Sequence, residues 1–156
     1  MKAIRVGKPE QGFTLIELVM VIVILGILAA FALPRFANLG VEARASSIQG
    51  VLGAVRSASA IAHAKCLAEA NCSTGASSTA TMEGASVAMV YGYPAGSATG
   101  IQAAAQISGT DFTVAAASGV VTIQATDATT PANCQVSYTE AASGGVPAIT
   151  SDISDC

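Results

Sequence analysis

The sequence predicts an α+β protein in which a long N-terminal α-helix precedes an antiparallel β-sheet. Three observations support this prediction. An apolar run of 21 residues, from Phe13 to Leu33, contains one charged residue, Glu17. Apolar residues then recur at helical spacing as far as Cys66, and short β-prone runs separated by turn residues follow from Cys72. In such a fold, the apolar stripe of the helix packs on one face of the sheet.

The apolar run is long enough to cross a membrane. As a helix rising about 1.5 Å per residue it spans about 31 Å, the thickness of a bilayer's hydrocarbon core. The segment before it, residues 1–12, carries three cations and one carboxylate. Because positive flanks favour the cytoplasmic side, we expect the N-terminus inside and the remainder of the chain outside.

The segment differs from an ordinary secretory signal in length and in the place of its small residue. A signal's apolar stretch is shorter and ends in a small-residue cleavage site, whereas here Gly12 stands before the run. We therefore expect cleavage after Gly12, which removes residues 1–12 and leaves the apolar helix at the new N-terminus, Phe13.

Glu17 is a carboxylate inside the apolar run, where a charge costs a few kcal/mol and marks a functional residue. Two interpretations are open from the residues alone. The carboxylate pairs with the new amine of Phe13 on an adjacent copy of the chain, or it reaches the lipid headgroups from its place near the helix end.

The helix is expected to be weakest between Gly26 and Pro34, since proline removes a backbone donor and glycine is a poor helix former. A narrow stripe follows, spaced alternately by four and three residues: Val41, Ala45, Ile48, Leu52, Val55, Ser59, Ala62 and Cys66. Polar residues off the stripe are Glu42, Arg44, Gln49, Arg56 and Lys65. Since the stripe lacks the bulky residues of a coiled coil, we expect it to pack on a sheet.

Strands are predicted where β-prone residues cluster: Val87–Tyr91, Phe112–Ala116, Val120–Ala125, Cys134–Tyr138 and, more weakly, Ala148–Thr150. Ser118-Gly119 is a hairpin turn between two of these runs. A short helix is expected over Ile101–Ile107.

Four cysteines, Cys66, Cys72, Cys134 and Cys156, indicate two disulfides in a chain that enters a membrane. Three pairings are possible. If Cys66 bonds to Cys72, the helix must end between them, because six helical residues rise about 9 Å and exceed the reach of a disulfide. A zinc site is disfavoured by the cysteine spacing and by the single histidine, His63.

Charge and composition exclude several functions. No lysine or arginine follows Lys65, so this part of the chain offers no basic surface, and we expect no direct nucleic-acid binding. No cofactor, metal or catalytic constellation is predicted, and nothing pairs His63 with a nucleophile. A sugar-stacking surface at Tyr91 and Tyr93 is not favoured, because tyrosines in such a run are more often half-buried strand residues. A glycosylation acceptor at Asn71-Cys72-Ser73 is not favoured either, because Cys72 is expected in a disulfide.

The residues at 12–18, GFTLIEL, followed by the apolar run, resemble the processing site of type IV prepilins. The likeness continues through Gly26, Pro34 and the ending from Cys134 to Cys156. Two motifs in the second half, YGYP at 91–94 and CQVSY at 134–138, resemble the mannose-sensitive haemagglutinin subgroup of type IVa pilins.

The resemblance implies the type IV pilin fold: a leader, residues 1–12; a membrane and filament-core half of the helix, residues 13–36; and a globular head, residues 37–156. It implies cleavage after Gly12 and N-methylation of Phe13 by a prepilin peptidase. It favours the pairing role for Glu17, which would set the register between stacked subunits. It also implies that the Gly26–Pro34 section can melt in a filament, and it favours the pairing Cys66–Cys72 with Cys134–Cys156.

The function implied is that of the major structural subunit of a type IV pilus. Its partners would be further copies of itself in a helical homopolymer, the prepilin peptidase and the inner-membrane assembly machinery. It would reside in the inner membrane before assembly and in a surface filament for adhesion afterwards, with retraction-driven motility as an additional use. A minor pilin, a secretion pseudopilin and an anchored binding domain that never polymerises are the alternatives.

Overall fold

The computed structural model describes residues 12–70 and 72–156. One compact unit ends at Leu39, and a second spans Gly40–Cys156. Helix α1, Leu15–Ala68, contributes to both. Antiparallel sheets follow it in the chain, and a disulfide joins Cys134 to Cys156. The predicted α+β architecture is therefore confirmed.

Helix α1 is continuous through Gly26 and Pro34. Melting of this section is expected in an assembled filament, so it stays a prediction that the structure of a single chain does not test. The helix ends at Ala68, between Cys66 and Cys72, as their disulfide requires.

The predicted stripe on α1 is the face that packs in the second unit. Ile48, Val55, Ser59, Ala62 and Cys66 are buried. Ala45 and Leu52 are half-buried. The stripe begins later than predicted, because Val41 is 43% exposed.

Within the described residues of the head, seven strands form two antiparallel sheets, where one sheet was expected. The three-stranded sheet holds β1 (Ser78–Met82), β2 (Ala85–Val90) and β3 (Tyr93–Pro94) in that order. The four-stranded sheet holds β4 (Phe112–Ala117), β5 (Val120–Ala125), β6 (Gln135–Thr139) and β7 (Ala148–Asp152), also in chain order. A helical segment, Ala98–Gln102 continued by α2 (Ala103–Ala105), lies between the sheets in sequence, and a 3-10 turn, Pro131–Asn133, precedes β6.

Three hairpins close through two-residue turns ending in glycine. The predicted Ser118-Gly119 turn is confirmed, with φ of 52° and 77°. Glu83-Gly84 joins β1 to β2, and Tyr91-Gly92 joins β2 to β3; in both turns the two residues also have positive φ. Positive φ at both central residues matches the right-handed twist of the flanking strands.

Strands β1 and β3 were not predicted from the sequence, and the C-terminal boundary of the predicted strand Val87–Tyr91 was wrong. β1 is rich in Ser, Thr and Ala, so its composition resembles a loop, and pairing with β2 decides its conformation. β3 is two residues long. The strand predicted to reach Tyr91 ends at Val90 because Tyr91 adopts the left-handed turn conformation. The short helix predicted over Ile101–Ile107 ends at Ala105, since Gln106 is left-handed.

The core forms two clusters along α1. The larger joins Ile48 and Val55 of the helix to the inward residues of the four-stranded sheet, including Val121, Val136 and Tyr138. The smaller joins Ala62 and Cys66 to Ala80, Val87 and Met89 of the three-stranded sheet. Successive turns of one helix therefore bury both sheets.

Candidate functional site

The N-terminal end of α1 is closed by a reciprocal cap between Thr14 and Glu17. The Thr14 backbone N–H and hydroxyl donate to Glu17 Oε2 at 2.9 and 2.7 Å. In return, the Glu17 N–H donates to Thr14 Oγ1 at 3.4 Å. This is a capping box, and it places the carboxylate where the helix dipole is positive.

The cap changes how Glu17 is understood. Both of its accepted hydrogen bonds reach Oε2, and Oε1 makes none within residues 12–70 and 72–156. The carboxylate is thus partly satisfied by its own chain and keeps one oxygen for another partner. The sequence analysis missed Thr14, although Thr-x-x-Glu before an apolar run is the recognisable signal of a capping box.

Gly12 has no structural requirement for glycine in the described part of the chain. A Cβ placed on it would meet nothing within 4 Å among the described residues. Gly26 likewise has open space around its Cβ position in the interior of α1. The fold of the single chain therefore does not explain either glycine. Phe13, directly after Gly12, is 86% exposed.

The apolar helix segment Leu15–Leu33 is long and apolar enough to cross a membrane, and none of it is buried within the chain. It is apolar on all sides, unlike the amphipathic part of α1 that packs on the sheets. An exposed apolar surface of this size requires lipid or other protein around it. The segment also places Gly12, Phe13 and Glu17 at one end, with Gly26 and Pro34 further along the same helix.

The disulfides of the head are those that the sequence analysis favoured. Cys66–Cys72, with Cα atoms 4.9 Å apart, closes the chain just after α1. Beside it, Glu69 forms an ion pair with Lys65 at 3.1 Å and accepts the Thr81 N–H at 3.1 Å. The hydrogen bond from Thr81 and the neighbouring lysine lower the pKa of Glu69.

Cys134–Cys156 links the start of β6 to the residues after β7, and both sulfurs belong to the larger core cluster. Arg44 of α1 donates through Nε to the carbonyl of Cys156. Arg44 was predicted to lie off the packing stripe; it is half-buried and ties the helix to this disulfide. Sequence spacing contains no signal for this contact, because 112 residues separate the partners.

The ring of His63 is held by contacts with Tyr93 and Gly92. Its ring stacks on Tyr93 with centroids 4.0 Å apart and planes 3° from parallel. Its Nδ1 lies 2.7 Å from the carbonyl oxygen of Gly92, which assigns the ring proton to that nitrogen. One face of the Tyr93 ring is therefore covered by His63 and is not open to a sugar. Asn71 of the glycosylation pattern lies outside the described residues.

No group of three metal-ligating side chains occurs among the residues that the structure describes. The predicted processing and assembly residues are brought together by sequence proximity at one helix end. The four cysteines lie in the head, where they hold the fold.

Comparison with known proteins identifies the N-terminal segment. The family model described as "Prokaryotic N-terminal methylation motif" matches residues 7–33. The type IV narrow pilus major component PilA5 of Thermus thermophilus is 56% identical over 52 residues, which are 33% of this chain and 45% of that protein. The type IV major fimbrial protein FimA of Dichelobacter nodosus is 43% identical over 49 residues, and the type IV major alpha-pilin of Moraxella bovis is 45% identical over 49, in each case 31% of both chains.

The aligned segments span less than half the length of these relatives. No solved structure matches the chain. The long N-terminal helix, the antiparallel sheets and the C-terminal disulfide fit the α+β type IV pilin fold. Together with the methylation motif and the pilin relatives, they support the identification of this chain as a type IV pilin.

Proposed function

We propose that this protein is the major structural subunit of a type IV pilus, polymerised through its N-terminal helix into a surface filament. The observation that carries the proposal is the apolar helix Leu15–Leu33, none of which is buried and which lies within the matched methylation motif. Such a helix needs a lipid environment before assembly and a bundle of identical helices afterwards. Three relatives that share a segment of 49 to 52 residues with this chain are named as major pilins or pilus components.

Processing follows from Gly12 and Phe13. A peptidase that cuts after Gly12 produces a free amine at Phe13, which is then methylated. A glycine that the chain's own fold does not require is consistent with recognition by an external enzyme. Before assembly the N-terminus would face the cytoplasm and the head the periplasm; the partners would be the prepilin peptidase, the inner-membrane assembly machinery and further copies of the chain.

Glu17 would set the register between subunits. Its free oxygen, Oε1, is available to the Phe13 amine of a neighbouring copy while Oε2 keeps the cap of its own helix. The charge is thus used within an apolar bundle, where an uncompensated carboxylate would be costly. Gly26 and Pro34 would allow the helix between them to extend in the assembled filament.

We assign the chain to the mannose-sensitive haemagglutinin subgroup on the two head motifs at 91–94 and 134–138. In the single chain the first forms the turn before β3 together with β3 itself, and the second supplies four of the five residues of β6. Adhesion is the use of the filament that this assignment favours. Shaft and minor subunits share the N-terminal segment, and abundance in the filament distinguishes them.

The first test is to shear cells and to measure the intact and N-terminal mass of the dominant filament protein. A chain that begins at methylated Phe13 and carries two disulfides is the expected result. An uncleaved chain confined to the membrane would indicate a non-polymerising anchor. A processed chain present only in traces would indicate a minor pilin or a secretion pseudopilin.

The role of Glu17 is tested by separating its charge from its cap. Glu17→Gln removes the charge but keeps an acceptor for Thr14, since glutamine also serves in a capping box. Thr14→Ala removes the capping hydroxyl but keeps the carboxylate. We expect loss of filaments in Glu17→Gln, and in Glu17→Ala, with filaments retained in Thr14→Ala. Normal filaments in Glu17→Gln would contradict the charge-pairing role.

A further inference from the structure

Most charged side chains of the unit Gly40–Cys156 have a partner in the same chain. Arg44 donates to the Cys156 carbonyl, and Lys65 pairs with Glu69. Four carboxylates accept hydrogen bonds from neighbouring groups: Glu69 from Thr81, Glu83 from Gln106, Glu140 from Gly96 and Asp152 from Ser154. This internal pairing makes the unpaired charges conspicuous.

Arg56 is the cation left over. It lies on the exposed side of α1 and makes no hydrogen bond or ion pair with any residue in the described part of the chain. Arginine in such a position adds no fold stability through charge. Its fixed fork of donors suits a carboxylate on another molecule.

A groove elsewhere on the same unit has the complementary chemistry. It encloses about 300 Å³ and is lined by Ser47, Asp111, Phe112 and Asp127, with Arg44 at its side. Both aspartates are exposed, and neither side chain has a partner within the described residues. The groove has one net negative charge, because its two carboxylates face a single cation, Arg44. The guanidinium of Arg44 is already hydrogen-bonded to Cys156. Carboxylates beside an aromatic ring are the surroundings that a guanidinium prefers.

Arg56 does not face the groove of its own chain. Ser47, which lines the groove, stands nine residues earlier on α1. Nine residues are two and a half helical turns, so the two side chains point about 180° apart and are displaced by roughly 13 Å along the axis. A cation on one side of the unit and its complementary groove on the other produce a head-to-tail contact, which propagates instead of closing into a dimer.

We propose that Arg56 of one copy inserts into the groove between Asp111 and Asp127 of the next copy. The occupant is therefore a second copy of this chain, selected by charge complementarity. This inference rests on the proposed homopolymer and extends it from the apolar helix to the surface of the heads.

The test is charge reversal with restoration, read as the amount of this protein in sheared filaments. Arg56→Glu should reduce the yield about tenfold, the scale expected when one member of a close interfacial charge pair is lost. Combining it with Asp127→Arg should restore the yield. Asp155→Arg is the control. It makes the same change of charge as Asp127→Arg, at an exposed carboxylate outside the groove, and should leave the filament yield unchanged.

Two results would overturn the proposal: a normal yield from Arg56→Glu, or no recovery in the double variant although its subunit accumulates with both disulfides formed.

A second measurement is independent of yield. In filaments of mixed isotopic composition, Arg56→Lys treated with a carbodiimide should be crosslinked to Asp111 or Asp127 between copies; crosslinks elsewhere alone would contradict the assignment. If the unmodified protein forms no filaments, the proposed function fails; if it does and Arg56→Glu is unaffected, this contact alone fails.

Discussion

The hydroxyl of Tyr138, on the four-stranded sheet, donates a hydrogen bond to the carbonyl oxygen of Pro94, on the three-stranded sheet, at 2.6 Å. Tyr138 is fully buried, and its burial raises its pKa to about 12. The bond connects two sheets that are not continuous with each other through backbone pairing. It is therefore a specific polar link between the two sheets.

Tyr138→Phe should lower the free energy of unfolding by about 1–3 kcal/mol, because it leaves the buried Pro94 carbonyl without a donor. The measurement is denaturant unfolding of the full chain in detergent. Tyr91→Phe is the matched control, since the hydroxyl of Tyr91 has no hydrogen-bond partner in the described residues. Equal losses in the two variants would show that the Pro94 contact contributes nothing.

The raised pKa of Tyr138 predicts a loss of stability at high pH. The unfolded phenol ionises near 10.0 and the folded one near 12. The contribution is fully present below pH 10 and falls as pH rises towards 12. In Tyr138→Phe this part of the alkaline decline should be absent. An identical decline in both proteins between those pH values would contradict the prediction.

The pKa of Glu69 is lowered by the Thr81 N–H and by Lys65, so its contribution has the opposite pH dependence. It is present above the unfolded value of 4.5 and is lost as pH falls through the lower folded value. Glu69→Gln should therefore show a smaller acid-induced decrease in unfolding free energy than the unmodified protein. Denaturant unfolding at a series of acidic pH values measures this difference, and an equal decrease in the two proteins would contradict the prediction.

Thr14→Ala should loosen the first turn of α1. Loss of a capping hydroxyl costs about 1 kcal/mol, equivalent to about fivefold faster opening of the amides that it protects. Hydrogen exchange in detergent micelles measures this effect at Glu17 and Leu18. Thr14→Ser keeps the hydroxyl and should exchange like the original; equal acceleration in both variants would exclude the cap as its cause.

The two disulfides should contribute unequally to stability. Cys134–Cys156 spans 22 positions and Cys66–Cys72 spans six. Loop-entropy estimates give about 3 kcal/mol for the first and about 2 kcal/mol for the second. Unfolding of the two paired Cys→Ala variants tests this order, and a larger loss on removing Cys66–Cys72 would reverse it.

Local patterns in the chain were sufficient for the N-terminal half of the fold. An apolar run followed by a stripe spaced by three and four residues specifies a helix and its buried face, because helical periodicity is a property of neighbouring residues. The turn at Ser118-Gly119 was predictable for the same reason, since its positive φ angles depend on the two residues themselves. Thr14 and Glu17 also form a local signal, although it was not recognised.

Contacts that depend on strand pairing and on packing between elements were beyond such patterns. β1 has the composition of a loop and becomes a strand because β2 lies beside it. The link from Tyr138 to Pro94 joins residues separated by 44 positions, and the contact of Arg44 with Cys156 joins residues separated by 112. Residues this far apart in the chain form no periodic pattern from which their contact could be predicted.

The amino-acid sequence by itself thus determined the helix, the Gly12-Phe13 motif with Glu17 behind it, and the face of α1 that is buried, since each depends on residues within a few positions of one another. Only the tertiary structure decided which strands share a sheet and which charges remain unpaired. Those outcomes depend on how α1 and the strands pack together, and that packing occupies Arg44 inside the chain while it leaves Arg56, Asp111 and Asp127 exposed.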